Sequence, residues 1–258
     1  MKNIFLYDVH THTNMEPMIN ELDNVVSICN ERNIIYNCVG TNVEDSQIAI
    51  DQARKYPGTI YATVGIHPDN CKDLSDIDKI EQLYLKNKDV VVAIGEIGLD
   101  YHYEHYDKEK QKLFFTKLLE LANKYDLPIC IHVRSAEEDC LEILKKAKNP
   151  KKIWIHCFAG DTNIVKKYID LGYMISVPGI ITFKNAKQLQ ESIKHIPLDR
   201  LMVETDGPWL APVPYRGKTN YPHYVQFVME AIANHLGMSK EELAKKVTAN
   251  AVNFFGIK

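Results

Sequence analysis

Residues 3–14 read NIFLYDVHTHTN. The apolar and aromatic residues up to Val9 have the composition of a strand, and the run stops where His10 and His12 begin. No glycine follows that strand. A doubly wound nucleotide-binding sheet needs a Gly-rich phosphate turn at this point, so that architecture is disfavoured. A (β/α)8 barrel needs none. It keeps its chemistry at the carboxyl ends of its strands, which is where these two imidazoles fall.

The same kind of apolar, β-branched run recurs along the chain: IFLYDV (4–9), IIYNCVG (34–40), IYATVGI (60–66), VVVAIGEI (90–97), PICIHV (128–133), KIWIHCF (152–158), YMISV (173–177) and RLMVET (200–205). Near-continuous runs of this length fit strands buried on both faces, as in a parallel sheet. The segments between them carry apolar residues at helical spacing. KQKLFFTKLLELANKY (110–125) has an i, i+3, i+4 pattern from Leu113 to Leu121. SAEEDCLEILKKAK (135–148) and MSKEELAKKVTANAVNFF (238–255) each place a serine three residues before a glutamate, Ser135 with Glu138 and Ser239 with Glu242. That is a capping-box signature. Strands alternating with helices give right-handed βαβ units, and eight of them in about 250 residues is the size of a TIM barrel. With no Pro-rich or Gly/Ser linker, residues 1–258 read as one α/β domain, a (β/α)8 barrel with its active site at the C-terminal ends of the strands.

The composition narrows the function. Hydrophobic residues make up 45% and charged residues 25%, as in an ordinary soluble domain. The net charge is -3, from 31 basic and 34 acidic residues, which excludes a general polyanion-binding surface but not a local phosphate site. Six cysteines lie scattered without a CxxC pair and read as reduced thiols. The N-terminal apolar run is too short for a signal peptide, and no run approaches the 18 or so residues of a membrane span. A cytoplasmic, membrane-free protein is expected, a monomer with no obligate protein partner.

Titratable residues fall at six of the eight strand ends: His10 and His12, His67, Glu96, His132 with Arg134, His156, and Asp206. In a strand, residues i and i+2 share a face, so His10 with His12, His132 with Arg134, and Glu204 with Asp206 are expected to point the same way. Cys157, next to His156, is expected to face away from the mouth and serve packing. Neutral imidazoles and carboxylates suit Zn²⁺, Mn²⁺ or Mg²⁺. Four histidines, a glutamate and an aspartate suffice for two ions with one carboxylate bridging.

The motifs DVHTH, GIHP, GEIGLDY, HVR, HCFAG, SVPGIITFKN, VETDGPWLAP and PYRGKTNYP occur in this order. Together they resemble the TatD family of metal-dependent deoxyribonucleases, in the amidohydrolase superfamily, from residue 8 to about residue 255. The resemblance implies a distorted TIM barrel with two divalent ions. One would be held by His10, His12, Glu96 and Asp206, the other by Glu96, His132 and His156, with Glu96 bridging. It implies a 3′→5′ exonuclease acting on DNA. The missing basic surface points to short or single-stranded ends as substrate, and the expected mechanism is attack by a metal-activated water with Asp206 taking or orienting its proton. The chain departs from the family pattern in two places: Thr13 and Asn14 replace Leu-Asp, and Ala159 replaces the serine of HCFSG. Neither departure touches a ligand. His67, which the family carries outside the ligand set, together with Arg134 and Arg216, is expected to contact substrate phosphate. His102 and His105, in an aromatic-rich loop, are candidates for nucleobase contact. The rival activity on the same metal platform is a C–N or ester hydrolase, such as a lactonase, deaminase or cyclic amidase.

Overall fold

The computed structural model describes residues 5–103 and 107–257. Eight parallel strands lie side by side in chain order: β1 (Leu6–Thr11), β2 (Ile34–Val39), β3 (Ile60–Val64), β4 (Val91–Asp100), β5 (Ile129–Arg134), β6 (Ile153–Ile155), β7 (Met174–Val177) and β8 (Leu201–Val203). Around them run α1 (Leu22–Glu31), α2 (Val43–Lys55), α3 (Ser75–Lys86), α4 (Lys108–Tyr125), α5 (Glu137–Leu144), α6 (Thr162–Asp170), α7 (Lys187–Ser192), α8 (Val225–Leu236) and α9 (Lys240–Phe255). This is the expected (β/α)8 barrel. Among the described residues no helix is long and apolar enough to cross a membrane.

Alternation along the strands splits the core into two layers. Leu6, Ile34, Val64, Ile129, Ile155 and Val203 face out and pack under the helices. Tyr7, Val9, Ile35, Cys130, Trp154 and Met202 fill the barrel interior with Phe255 of α9. Trp154 and Phe255 meet edge to face at 5.5 Å, a large apolar floor beneath the mouth.

The distortion lies at the seam between the first and last strands. Neighbouring strands pair from β1 through to β8. At the seam, Thr205 instead donates its backbone N–H to Asp8 Oδ1 (2.8 Å) and its hydroxyl to Asp8 Oδ2 (2.5 Å). Two main-chain bonds follow, Asp206 N to His10 O (2.9 Å) and His12 N to Gly207 O (2.7 Å). The first strand's polar tail therefore closes the barrel and carries the imidazoles.

Two irregularities aim the chemistry. Pairing of β1 with β2 shifts register between Asp8 and Thr11, and pairing of β4 with β5 shifts between Ile94 and Ile97. Simple alternation from Tyr7 and Val9, or from Ala93, would send His10 and Glu96 outward; the shifts turn both inward. Gly98, at φ 147°, lets β4 pass so close to β5 that a Cβ there would strike the His132 carbonyl.

The expected helix cap holds at Ser239, whose side chain accepts from Glu242 N. It does not hold at Ser135. β5 runs on to Arg134, Ser135 takes a left-handed turn (φ 55°), and α5 starts after Ala136 with no side-chain cap. The chain has no extended residue free to serve as N-cap there.

One buried histidine outside the mouth gives a stability prediction. His223 is 6% exposed, stacks on Tyr221, and its Nδ1 finds no partner among the described residues. Burial, with Arg32 adding, pulls its pKa down to about 4. The unfolded chain then binds a proton below about pH 6.5 that the folded chain refuses. Stability falls as pH drops from 6.5 towards 4, by up to about 1.4 kcal/mol per pH unit from this group. The thermal midpoint of His223→Gln should fall less steeply over that window than that of the unsubstituted protein; identical slopes would rule this out.

Candidate metal centre

Seven side chains from six strand ends meet at the mouth, with Glu96 in the middle. Its Oε1 lies 2.7 Å from His156 Nε2, 2.8 Å from His132 Nδ1 and 3.7 Å from His67 Nε2. Its Oε2 lies 3.4 Å from His10 Nε2 and 3.7 Å from His12 Nε2. Asp206 Oδ1 faces the same two nitrogens at 3.6 and 3.7 Å. One carboxylate thus turns an oxygen to each of two imidazole groups. His10, His12, Glu96 and His156 are almost fully buried, while Asp206 and His132 border the opening.

The donor chemistry fits cations. His12 Nδ1 sits 3.0 Å from the Val39 carbonyl, an acceptor only, so Nδ1 carries the proton and Nε2 presents a lone pair. That lone pair lies 3.2 Å from His10 Nε2. His132 Nε2 faces Asp100 Oδ2 at 3.1 Å, which leaves Nδ1 as the lone pair turned to Glu96 and, at 3.3 Å, to His156 Nε2. So many acceptors in a dry site repel one another unless protons or metal ions lie between them. Burial holds His10 and His12 below the ordinary imidazole range, hence neutral and able to ligate. Burial alone would raise Glu96, but His156, His67 and His10 outweigh it and hold its carboxyl well below the usual range. Burial would lower His132, and the negative charge of Asp100 and Glu96 beside it reverses the sign. Asp206 is pushed by burial up to about 7.

His67 belongs to the cluster in space but differs in tautomer. Its Nδ1 accepts from Asp69 N–H at 3.2 Å, so its proton sits on Nε2, the atom that points into the mouth. Burial lowers its pKa to about 3, so it stays a neutral N–H donor. That suits a substrate oxygen better than a metal.

Other expected residues fall out differently. Arg134 lines the cleft, half exposed, 5.6 Å from the Tyr103 ring. Arg216 is exposed and packs its guanidinium 3.9 Å over Phe183, and it is not among the residues lining the clefts at the mouth. Cys157 lines the cleft instead of packing behind it: β6 ends at Ile155 and Cys157 takes a left-handed conformation (φ 48°), so alternation no longer governs it. Glu204 parts from Asp206. It turns beneath the mouth to accept from Cys157 N and Ser176 Oγ, each at 2.5 Å, with His156 Nδ1 3.7 Å away. His102 is exposed against Tyr103, and His105 lies outside the described residues.

Sequence reasoning missed Asp100, Tyr103 and Trp209. Asp100 stands four residues after Glu96, where the apolar pattern GEIGLDY continues, and only a longer β4 would have exposed it. The cleft has two lobes, of about 620 Å³ on the Met15, Asn70 and Tyr103 side and about 560 Å³ on the Ile180, Gln188 and Leu210 side. Arg134, Trp209 and Asp206 border both.

A parallel barrel with buried imidazoles and carboxylates converging at its C-terminal mouth defines a metal-dependent hydrolase of the amidohydrolase superfamily. The sequence pattern of the TatD related DNase family matches residues 7–256, and the chain belongs to that family. It is 38% identical over 258 residues to an uncharacterized metal-dependent hydrolase of Mycoplasma genitalium, covering 96% of this chain and 98% of that one. It is 38% identical over 257 residues to the uncharacterized metal-dependent hydrolase YabD of Bacillus subtilis, covering 98% and 99%. The crystal structure of YJJV, a TatD homologue from Escherichia coli, superposes with a TM-score of 0.92 at 24% identity, over 98% of this chain and 99% of that one.

Proposed function

We propose that the protein hydrolyses phosphodiester bonds of DNA at single-stranded 3′ ends, with two divalent ions (zinc, manganese or magnesium) in the mouth. The observation that carries this is the division of Glu96 between two donor groups at the floor of a two-lobed cleft. His10, His12, Asp206 and Glu96 would hold one ion, and His132, His156 and Glu96 the other. Bound there, the ions supply Lewis acidity and a nucleophilic water at neutral pH.

The chain's own groups do the rest. Asp206 Oδ1, on the His10 and His12 side, orients the attacking water and takes its proton. His67 Nε2–H donates to a non-bridging phosphate oxygen, and Arg134 at the junction of the lobes adds a charged donor. Trp209, half exposed and edge-on to His12 at 5.3 Å, offers a face for a base beside the scissile bond. A stacked base contributes about 1–3 kcal/mol, so Trp209→Ala should raise KM by about 5- to 150-fold and change kcat little. An unchanged KM would remove Trp209 from substrate binding.

The direct test is turnover of 3′-labelled and 3′-blocked single strands, run beside a panel of lactones and cyclic amides. Stepwise shortening from free 3′ ends only is expected. Turnover of lactones or amides with intact DNA would assign the site to carbon–nitrogen or ester hydrolysis.

A further inference from the structure

The two halves of the centre are backed unequally. His12 leans on a carbonyl, and His10 Nδ1 on the Cys130 sulfur at 3.4 Å, both uncharged. His132 leans on a carboxylate, Asp100 Oδ2 at 3.1 Å. Asp100 is 2% exposed and tightly placed. Its Oδ1 accepts from His102 N at 2.8 Å. Its backbone is clamped at both polar atoms by Gln111 of α4, buried, with Asp100 N donating to Oε1 (2.9 Å) and Nε2 donating to Asp100 O (3.0 Å). A line of contacts therefore runs from a helix, through the end of β4, to an imidazole of the mouth.

We propose that Asp100 is a positioning residue that fixes His132 as the Nε2–H tautomer and so sets the affinity of the ion on the His132 and His156 side. This rests on the metal-centre reading above. The physical case has two parts. A carboxylate accepts only, so it holds the proton on Nε2 and keeps the Nδ1 lone pair aimed inward. Its charge also compensates an asymmetry in the ligands. Among the ligands, the His10 and His12 side has Asp206 besides its share of Glu96; the other side has only its share of Glu96, with Glu204 3.7 Å behind His156 Nδ1. Asp100, acting through the ring, makes His132 the more basic ligand.

Asp100→Asn preserves size and breaks the logic. If the amide nitrogen faces His132, Nε2 must become the acceptor and the proton moves to Nδ1, the ligating atom. If it is flipped, its NH₂ meets the His102 N–H. Zinc titrated calorimetrically into metal-free protein reads the effect without an activity assay. The unsubstituted protein should take up two zinc ions. Asp100→Asn should keep one with unchanged affinity and bind the other about 10- to 100-fold more weakly. Two ions bound as tightly as before would overturn the proposal, and equal weakening of both would mark Asp100 as a scaffold residue and overturn it too. No zinc uptake by the unsubstituted protein would instead remove the metal centre on which the proposal stands. Should the variant fail to fold, ¹⁵N shifts of His132 in the zinc-loaded unsubstituted protein decide. A protonated Nε2 supports the assignment, and a protonated Nδ1 refutes it.

Discussion

Glu96→Gln is expected to lower hydrolysis by about a thousandfold or more while the barrel stays folded. The amide keeps the shape of the side chain but not its charge, and it turns one acceptor into a donor aimed at imidazole lone pairs. Glu96 is the group that the two halves of the mouth share, with one oxygen at 2.7 and 2.8 Å from His156 and His132, and the other at 3.4 Å from His10. Losing it removes several kcal/mol of charge stabilisation from both sides at once, and each 1.4 kcal/mol or so is a factor of ten in rate. His10→Ala should be comparably inactive. Circular dichroism and the thermal midpoint check the fold, and release of 3′-terminal nucleotide checks the rate. Turnover near that of the unsubstituted protein by either variant contradicts the assignment.

The largest effect on stability is expected at Asp8. This fully buried carboxylate is the side-chain clasp of the barrel, bonded to the amide and hydroxyl of Thr205 and, at 3.4 Å, to His10 N. Asp8→Ala strands a buried N–H and a buried O–H at the seam, where the clasp works beside two main-chain bonds instead of a full ladder. Each unpaired group costs about 1–3 kcal/mol, so a loss of about 3–5 kcal/mol is expected, near 10 °C in thermal midpoint for a chain of this size. Asp8→Asn, which retains one acceptor, should lose less. A double-mutant cycle with Thr205→Val separates the clasp from the cavity: strong coupling is expected, and additive losses would show that the bond does not hold the seam.

The barrel was legible because apolar runs buried on both faces leave a plain signature, and because titratable residues end them. Alternation carried His132, His156 and Glu204 to the inner side, continuing from Cys130, Trp154 and Met202. It reached the right answer for His10 and His12 as a pair without seeing the cause, since the register shift between Asp8 and Thr11 is what turns them inward. The same holds for Glu96, whose register shift no local pattern announces. Asp100 escaped because β4 runs three residues past the C-terminal end of its apolar run. Cys157 was mis-aimed because a left-handed residue breaks the period of two. Arg216 illustrates a different limit. Its guanidinium is taken by Phe183, some thirty residues earlier in the chain, and such a tertiary contact leaves no mark in the sequence around it. Ser135 shows that a capping signature is overridden when the preceding strand runs up to it.

Anomalous diffraction from crystals grown with zinc tests the dinuclear centre most directly. Two anomalous peaks are expected, one between Glu96 and the His10, His12 and Asp206 donors, the other between Glu96 and the His132 and His156 donors. A single peak, or none, inside that ring of imidazoles would contradict it.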